Sequence, residues 1–254
     1  MILSDKSCGS TALLKGLIRA GGRTTPWTRH NEHETLFWCK AAAVLGLPQV
    51  NMEYSELPLD RDRALVDLQT FCDKNLGPDS VPIGDLEGIC EAWRRISHRY
   101  SYFVEKSPHH LQYDSALDLI AKHADAKLIG LVRDPRASLY SSWKRWSADP
   151  NVAQQAWVRA YSNLLKLHSS MLVVRYEDLA EGHGHDQVLG WAELPGSDLG
   201  FHSQSLERWR SDPEFRFSPS KDLLFIAKAF GYWIEEDACE SRQQVTGFPW
   251  MKSV

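Results

Sequence analysis

The sequence predicts an α/β fold, with a central, mainly parallel sheet flanked by helices in a three-layer, P-loop-like arrangement. Short apolar runs at residues 1–3, 128–132 and 171–174 have the length and composition of buried strands. Segments with apolar residues at helical spacing separate these runs, as crossovers between parallel strands require. No repeat or linker divides the chain, so we expect one domain spanning residues 1–254.

Composition and charge argue against several classes of protein. The net charge of −4 gives no general attraction to nucleic acid or anionic membranes, so any anion site has to be local. The five cysteines are scattered, and neither they nor the histidines show metal-ligand spacing. The first residues lack the apolar core of a signal peptide, and no segment approaches the roughly 20 apolar residues of a membrane span. We therefore expect a soluble, cytoplasmic protein with no metal, no membrane span and no nucleic-acid partner.

A turn of small residues lies between the first strand and the first predicted helix. Lys6 precedes the turn, which consists of Ser7, Cys8, Gly9, Ser10 and Thr11. Backbone N–H groups at a helix start, together with hydroxyl groups, form an anion site without needing net charge. The nucleotide-kinase pattern GxxxxGK[ST] is absent, because no Lys-Ser or Lys-Thr pair closes the turn. A generic strand-to-helix turn is the alternative interpretation.

Two carboxylates and two imidazoles precede the second predicted helix, which begins near Phe37. These residues are His30, Glu32, His33 and Glu34. A Glu or His with a pKa near neutrality suits a general base for a hydroxyl acceptor. Acidic residues near a helix start are also favoured by the helix dipole, so an ordinary polar first turn is the alternative.

The middle of the chain predicts helices that cover the sheet and wall an acceptor pocket. Apolar residues recur at helical spacing over residues 61–76 and 83–100. A strand is predicted at residues 102–104, which places Lys106 at a strand end, where parallel sheets bind ligands. The default alternative for Lys106 is a solvated side chain.

The buried run at residues 128–132 ends abruptly at Arg133, and a helix follows. Asp134 is a suitable N-cap, and Pro135 suits the first helical position. Ser141 lies eight residues after Arg133, about two turns into the helix, so both side chains can converge on one anion. The alternative is a surface ion pair for Arg133 and a solvent-facing Ser141.

The last third of the chain predicts a helix at residues 150–169 and the third strand. Residues 175–179 follow the third strand, and VVRYEDL resembles a stretch of sulfotransferases that pins the sheet, which implies a structural role. Residues 181–200 are interpreted as a loop or a disordered excursion. Helices are predicted at residues 205–210 and 221–233. The tryptophans are mostly core residues by composition; Trp27, Trp38 and Trp143 are candidates to border an aromatic pocket.

Four blocks, in order along the chain, resemble the sulfotransferases that use 3′-phosphoadenosine 5′-phosphosulfate (PAPS). RDPRASLYSSW is similar to the motif that binds the 3′-phosphate through an Arg and through a Ser eight residues later. Arg133 and Ser141 match these two positions. Residues 6–11 resemble the 5′-phosphosulfate loop. Ser7 stands where that loop usually has a basic residue, and Lys6 lies one position earlier.

Two further blocks resemble the segments that meet the acceptor. HETLFW is similar to a segment whose Glu is the general base, which implies that Glu34 is the base and that His33 replaces the family Lys. Glu32 is the second choice, and His33 or His30 serves if the alignment shifts by one residue. EKSP resembles a segment whose Lys binds the acceptor or the sulfuryl group, which implies this role for Lys106.

The resemblance implies a bacterial-type, PAPS-dependent sulfotransferase of secondary metabolism. It implies in-line transfer to a hydroxyl or amine of a small-molecule or carrier-bound acceptor, with no metal required. Lys106 and Lys6 neutralise charge passing to the leaving phosphate, and a late basic residue closes over the nucleotide. Candidates for that role are Arg208, Arg210 and Lys252.

Two other functions remain open at this stage. A P-loop phosphotransferase acting on a small metabolite shares the strand, turn and helix, but it needs a Mg²⁺ site and a lysine within the turn. A non-catalytic nucleotide-binding module keeps Arg133 and Ser141 but has no use for Glu34 and Lys106. The sequence names neither the acceptor nor the oligomeric state.

Overall fold

Three parallel strands form the sheet of this protein. A computed structural model describes residues 1–30, 33–51, 58–203 and 206–234. The strands are β1 (Ile2–Ser4), β2 (Ile129–Val132) and β3 (Leu172–Arg175), in the order β1-β2-β3. Ile129 lies opposite Ile2 on one side and Leu172 on the other, and both pairs are parallel. The predicted α/β fold with a parallel sheet is therefore confirmed.

Helices flank this sheet on both faces. In the described residues they are α1 (Ser10–Arg19), α2 (Phe37–Val44), α3 (Arg61–Leu76), α4 (Leu86–Arg99), α5 (Asp114–His123), α6 (Pro135–Trp146), α7 (Pro150–Leu167), α8 (Tyr176–Ala180), α9 (His185–Trp191) and α10 (Lys221–Ala229). Short 3-10 helices include Pro108–Gln112 and Arg208–Arg210.

Two hydrophobic cores lie on opposite faces of the sheet. Side chains alternate between faces along a strand, so Leu3 packs into a core with α2 to α7 and α10. Its neighbour Ile2 packs into a second core with α1, α8 and α9. Gly130 allows α7 to approach the sheet closely, because a Cβ there would lie 2.6 Å from a methyl carbon of Leu164. Helices, sheet and helices thus form three layers.

The predicted start of α6 is confirmed in detail. The Asp134 side chain accepts a hydrogen bond of 2.8 Å from the backbone N–H of Arg136, and Pro135 occupies the first helical position. The cap satisfies a donor that has no partner within the helix. Arg133 therefore stands at the junction of β2 and α6, where the sequence predicts it.

The predicted strand at residues 102–104 is not formed. Tyr102 has a left-handed φ of 57°, which interrupts the extended backbone. Isolated parallel bridges join Arg23 to Phe103 and Ile2 to Lys106, and the Ile2 N–H donates to the Glu105 carbonyl at 2.8 Å. The segment runs beside β1 without joining the ladder, and the backbone of Lys106 lies opposite Ile2, the first residue of β1.

Three predictions in the last third of the chain were wrong. Residues 181–200 contain α9, because Val188 and Leu189 are buried in the second core. The helix predicted over residues 221–233 ends at Ala229, and Gly231 then adopts a left-handed φ of 80°. Of the helix predicted at residues 205–210, only Arg208–Arg210 forms a 3-10 turn, and Ser205 lies outside the described residues.

Candidate active site

A cleft of about 1290 Å³ lies at the carboxyl ends of the strands. The turn before α1 follows β1, Arg133 follows β2 and Tyr176 follows β3. This is the edge at which parallel sheets bind ligands. Nine predicted site residues line the cleft: Lys6, Ser7, Gly9, Ser10, Thr11, Glu34, Lys106, Arg133 and Ser141. Four separate sequence blocks therefore converge on one space.

The cleft is strongly cationic, although the chain carries a net negative charge. Among the described residues that line it, Glu34 is the one carboxylate. The cations are Lys6, Lys15, Lys106, Arg133, Lys144, Arg145 and Arg208. Because the net charge of the chain is −4, any anion site has to be local. The cations of this cleft form such a local site.

The turn before α1 has the geometry of an anion-binding loop. Ser7 and Gly9 have positive φ values of 61° and 92°, which curl the backbone before the helix begins. No side chain caps the start of α1, and uncapped helix N-termini attract anions through their N–H groups and dipole. The hydroxyls of Ser10 and Thr11 stand at the same place.

Contacts with Tyr176 and Arg133 fix the shape of this turn. A Cβ on Gly9 would lie 2.3 Å from the Tyr176 ring, so only glycine fits there. The Arg133 guanidinium lies 4.4 Å from the centre of the same ring and donates a hydrogen bond of 2.9 Å to the Ser7 carbonyl. The structural role predicted for residues 175–179 is therefore incomplete, because Tyr176 also lines the cleft.

Cys8 is the one residue of the turn whose side chain points away from the cleft. The thiol is fully buried and accepts a hydrogen bond of 2.9 Å from the Tyr161 hydroxyl. Burial raises the pKa of the thiol to about 12. Its predicted role in binding is restricted to its backbone, since the neutral thiol belongs to the core.

Lys6 lies between the turn and the predicted base. Burial lowers the pKa of its ammonium, and the charges of Asp5 and Glu34 oppose that shift. The ammonium stands 5.9 Å from the ring centre of Trp146. The structure thus brings Lys6 to the cleft, although it stands one residue earlier than the usual basic position.

Glu34 and Lys106 form an ion pair inside the cleft. The Lys106 ammonium donates to Glu34 Oε1 at 2.7 Å; the Lys106 side chain is 1% exposed and that of Glu34 is 23% exposed. A parallel backbone bridge joins the same two residues. The partial exposure leaves the carboxylate accessible from the cleft, while its partner holds it in place.

A buried network supports this ion pair from behind. The Glu105 carboxylate accepts hydrogen bonds from Thr35 Oγ1 at 2.8 Å and from Ser107 Oγ at 2.6 Å. Ser107 Oγ in turn accepts from the backbone N–H of Leu36 at 2.9 Å. These bonds clamp the segment after Glu34 to the segment around Lys106. They position both side chains without lying in the cleft.

The other candidate bases differ in whether they line the cleft. His33 is exposed, has a left-handed φ of 63° and is not among the residues that line the cleft. Glu32 lies outside the described residues, and His30 lines the cleft. Sequence reasoning missed His109, which also lines it. Burial and nearby cations, Lys6 foremost, lower the pKa of His109 well below its ordinary value, so its imidazole is neutral.

Three further cations of the cleft could have been identified in the sequence from their helical spacing to predicted site residues. Lys15 stands four residues after Thr11 on α1, and Lys144 and Arg145 stand three and four residues after Ser141 on α6. Residues at these separations share a helix face. Lys144 is partly neutralised by Asp212 Oδ2 at 2.8 Å.

The aromatic and late basic candidates are partly corrected. Trp146 and Trp209 line the cleft. Trp38, which belongs to α2, is buried in the core against Trp93 of α4, and neither Trp27 nor Trp143 is among the lining residues. Of the late basic residues, Arg208 lines the cleft, Arg210 does not, and Lys252 lies outside the described residues.

Two findings concern metals and membranes. The described ranges contain no group of three or more His, Cys, Asp or Glu side chains placed to hold a metal ion. None of the helices in the described part of the chain combines the length and apolarity needed to cross a membrane.

Comparisons with known proteins agree with the fold. Residues 82–188 match the model of the sulfotransferase family. The sulfotransferase domain of the Synechococcus PCC 7002 olefin synthase superimposes with a TM-score of 0.57 and 19% identity, covering 92% of this chain and 94% of that domain. The sulfotransferase domain from the curacin biosynthetic pathway gives 0.61 and 19%, covering 92% and 97%. No curated protein matches the chain. The predicted resemblance to sulfotransferases is confirmed.

Proposed function

We propose that this chain, which has the family and fold of a sulfotransferase, transfers a sulfuryl group from PAPS to a hydroxyl or amine of a small-molecule or carrier-bound acceptor. Residues 1–254 act as one domain in this proposal. The observation that carries it is the meeting of two anion sites, the turn before α1 and the Arg133–Ser141 pair, with the Glu34–Lys106 pair in one cationic cleft. The family and fold by themselves imply a transferase.

The residues of the cleft fit the chemistry of PAPS, which supplies the sulfuryl group. Its ribose carries two anionic groups, the 5′-phosphosulfate and the 3′-phosphate, and the cleft contains two adjoining sets of donors. The turn before α1 offers backbone N–H groups and hydroxyls for the phosphosulfate end. Arg133 and Ser141, eight residues apart, offer a guanidinium and a hydroxyl for the 3′-phosphate.

Glu34 is the proposed general base. Its carboxylate takes the proton from the acceptor hydroxyl, and Lys106 holds that carboxylate in position through the 2.7 Å contact. Lys6 and Lys106 then stabilise negative charge that develops on the leaving phosphate. By analogy with phosphoryl transfer, in-line sulfuryl transfer depends mainly on positioning and electrostatics.

The alternatives lack the features that they need. A P-loop phosphotransferase requires a lysine inside the turn, whereas Lys6 precedes the turn and Lys15 lies in the second turn of α1. A non-catalytic nucleotide-binding module gives no reason for a buried network to orient Glu34 toward the cleft. Two solved domains with a similar fold are named for biosynthetic systems, which supports a role in secondary metabolism.

Calorimetric titration with 3′-phosphoadenosine 5′-phosphate tests the proposal. We expect micromolar binding, much weaker binding of AMP, and no preference for ATP–Mg²⁺. Arg133→Ala should weaken binding of the bisphosphate about 10- to 100-fold, because charge-assisted hydrogen bonds to the 3′-phosphate are lost. Arg94→Ala is the matched control, since Arg94 is exposed, pairs with Glu91 and lies outside the cleft. Preference for ATP–Mg²⁺ would refute the sulfotransferase assignment.

A further inference from the structure

A smaller cavity of about 220 Å³ adjoins the cleft. Lys6 and Trp146 line both spaces. The other walls of the cavity include residues of α6 and α7. Its volume is several times the roughly 30 Å³ that one water molecule occupies in the liquid. An acceptor whose hydroxyl lies in the cleft can therefore extend into this second space.

One wall of the cavity is a face of α7. Val152, Ala156 and Arg159 line the cavity, and separations of four and three residues place them on one side of the helix. Val152 and Ala156 are partly buried, whereas Arg159 is exposed. Over about 10 Å of helix, this face changes from small apolar side chains to a guanidinium.

Arg159 is a cation that the fold does not neutralise. Within the described residues, its guanidinium has no ion-pair or hydrogen-bond partner. A guanidinium carries five N–H donors, stays charged and matches the shape of a carboxylate or a phosphate. The side chains of Asn51 and Gln155, which are also exposed and line the same cavity, can supply further donors.

The charges around the cavity favour an anionic group. Lys6 and Arg159 are its cations, and Asp5 is the one carboxylate among the described residues that line it. Asp5 is only 6% exposed, and its carboxylate accepts a hydrogen bond from the Gln112 amide. The carboxylate is therefore engaged within the protein, whereas the Arg159 guanidinium is accessible.

An apolar surface lies between this cation and the cleft. Trp146, the last residue of α6, is 46% exposed and lines both spaces. Val152 and Ala156 continue the apolar surface along α7. A hydrocarbon chain that passes from the cleft to Arg159 would remove part of these side chains from water, which is favourable.

We propose that the acceptor is an anion, with a carboxylate or a phosphate that pairs with Arg159 and an apolar chain that covers Trp146. This inference rests on the proposed function, because it places the hydroxyl to be sulfated beside Glu34 in the cleft. Arg159 is then the residue that selects anionic acceptors over neutral ones. Glu34 and Lys106 remain the residues that meet the hydroxyl.

Titrations followed by NMR test the inference on wild-type protein saturated with 3′-phosphoadenosine 5′-phosphate, which prevents the probes from occupying the nucleotide site. The probes are 4-hydroxybutanoate, 6-hydroxyhexanoate and 8-hydroxyoctanoate, each beside its neutral methyl ester. The acid whose length spans both spaces should bind about tenfold more tightly than its ester, as expected for charge-assisted hydrogen bonds. The monophosphates of the corresponding diols show whether a phosphate is preferred to a carboxylate. Equal affinities of charged and neutral probes at every length would overturn the inference.

Arg159→Gln supplies the second arm of the experiment. The substitution removes the charge and should abolish the preference for the anionic probes, while the melting temperature stays unchanged because Arg159 is exposed. Arg159→Lys keeps the charge and should retain part of the preference. Lys166→Gln is the matched control. It removes one positive charge from the same helix, seven residues further along, but Lys166 lines neither space, so this variant should keep the full preference.

The outcomes separate this inference from the proposed function. Failure to bind the bisphosphate in calorimetry counts against the sulfotransferase proposal itself. Normal binding of the bisphosphate, together with a preference for anions that persists in Arg159→Gln, overturns only the inference about the acceptor. An equal loss of preference in Arg159→Gln and Lys166→Gln would also overturn it, because general attraction to positive charge would then explain the result.

Discussion

The two ends of the cleft are built in different ways. The phosphate end, defined here as residues 7–11 with Arg133 and Ser141, uses the ends of β1 and β2 and the adjoining helices. The acceptor end, defined as Glu34, Lys106 and His109, consists of side chains outside the named strands and α-helices, and the paired Glu34 and Lys106 are 72 positions apart in the chain. Regular structure places the residues of the first end, and tertiary contacts then hold its turn, whereas the second end depends on tertiary contacts alone.

This difference suggests a division of labour. In the proposed function, backbone N–H groups and strand ends would bind the sulfuryl donor, an anion whose shape is the same in every turnover. The ion pair of Glu34 and Lys106 and its buried support would place the proposed proton acceptor beside a substrate that can vary. Substitutions at the two ends should therefore affect different quantities, and the predictions below proceed from the largest expected effect to the smallest.

Glu34→Gln should have the largest effect and should confine it to the acceptor end. The amide can still accept a hydrogen bond from Lys106, but it cannot take a proton, so we expect kcat to fall about 10²- to 10⁴-fold. Affinity for 3′-phosphoadenosine 5′-phosphate should change little, because the phosphate end is untouched. Steady-state kinetics and calorimetry on the same preparation provide both values.

His109 provides the internal control for that experiment. Its imidazole lines the cleft and is neutral, so it has the chemistry of a base, but its lowered pKa makes it a weak one. His109→Gln should therefore reduce kcat less than Glu34→Gln does. The reverse order would assign the proton transfer to His109.

The contrast between the two ends also explains what the sequence could predict. Arg133 and Ser141 stand on a strand end and the helix after it, so their spacing and the local caps were sufficient to identify them. Glu34 and Lys106 are brought together by a backbone bridge and the Glu105 network. Neither contact has a local signature. Their pairing therefore needed the structure, although the resemblance had identified each residue separately.

The errors have the same origin. Two glycines and a histidine before α9 indicated a loop, but burial of Val188 and Leu189 in the second core stabilises a helix there. The resemblance of VVRYEDL to a sulfotransferase segment that holds the sheet predicts only a structural role for Tyr176. Its contact with Gly9, which brings it to the cleft, joins residues that are distant in sequence.

Asp5→Asn tests the effect of a buried carboxylate that lies just before the turn. Asp5 follows β1, and burial raises the pKa of its carboxyl from 3.8 to about 6. The folded protein therefore holds this proton more tightly than the unfolded chain, so stability decreases as the pH rises from about 4 to about 6. The change amounts to roughly 3 kcal/mol. The free energy of unfolding of the variant should not decrease over this pH range. At pH 7 the variant should therefore be more stable than the wild type.

Denaturant unfolding between pH 4 and pH 8 measures the effect as the difference between wild type and variant. Asp118→Asn is the control, because Asp118 is exposed on α5. Parallel pH profiles for wild type and Asp5→Asn would contradict the prediction. The difference also removes the contribution of His109, whose lowered pKa reduces stability as the pH falls below about 6.5.

Gly9→Ala should affect the phosphate end alone and by a smaller amount. A left-handed φ of 92° disfavours alanine by about 1–2 kcal/mol, and the new Cβ forces the Tyr176 ring to move. We expect lower thermal stability and weaker binding of 3′-phosphoadenosine 5′-phosphate. Gly46→Ala is the matched control, since Gly46 also has a positive φ but has open space around its Cβ. Equal losses of nucleotide binding in both variants would argue against a specific role for the contact with Tyr176.

The turn before α1 is held by partners from elements other than its own. Arg133 bonds to the Ser7 carbonyl, Ser142 Oγ donates to Ser7 Oγ at 3.2 Å, and Gly9 packs on Tyr176. A loop fixed in this way is preorganised, so little conformational entropy is lost when an anion binds. The rigidity of the turn also favours anions of one shape. An anion of a different shape forms fewer hydrogen bonds with a turn that cannot change its conformation.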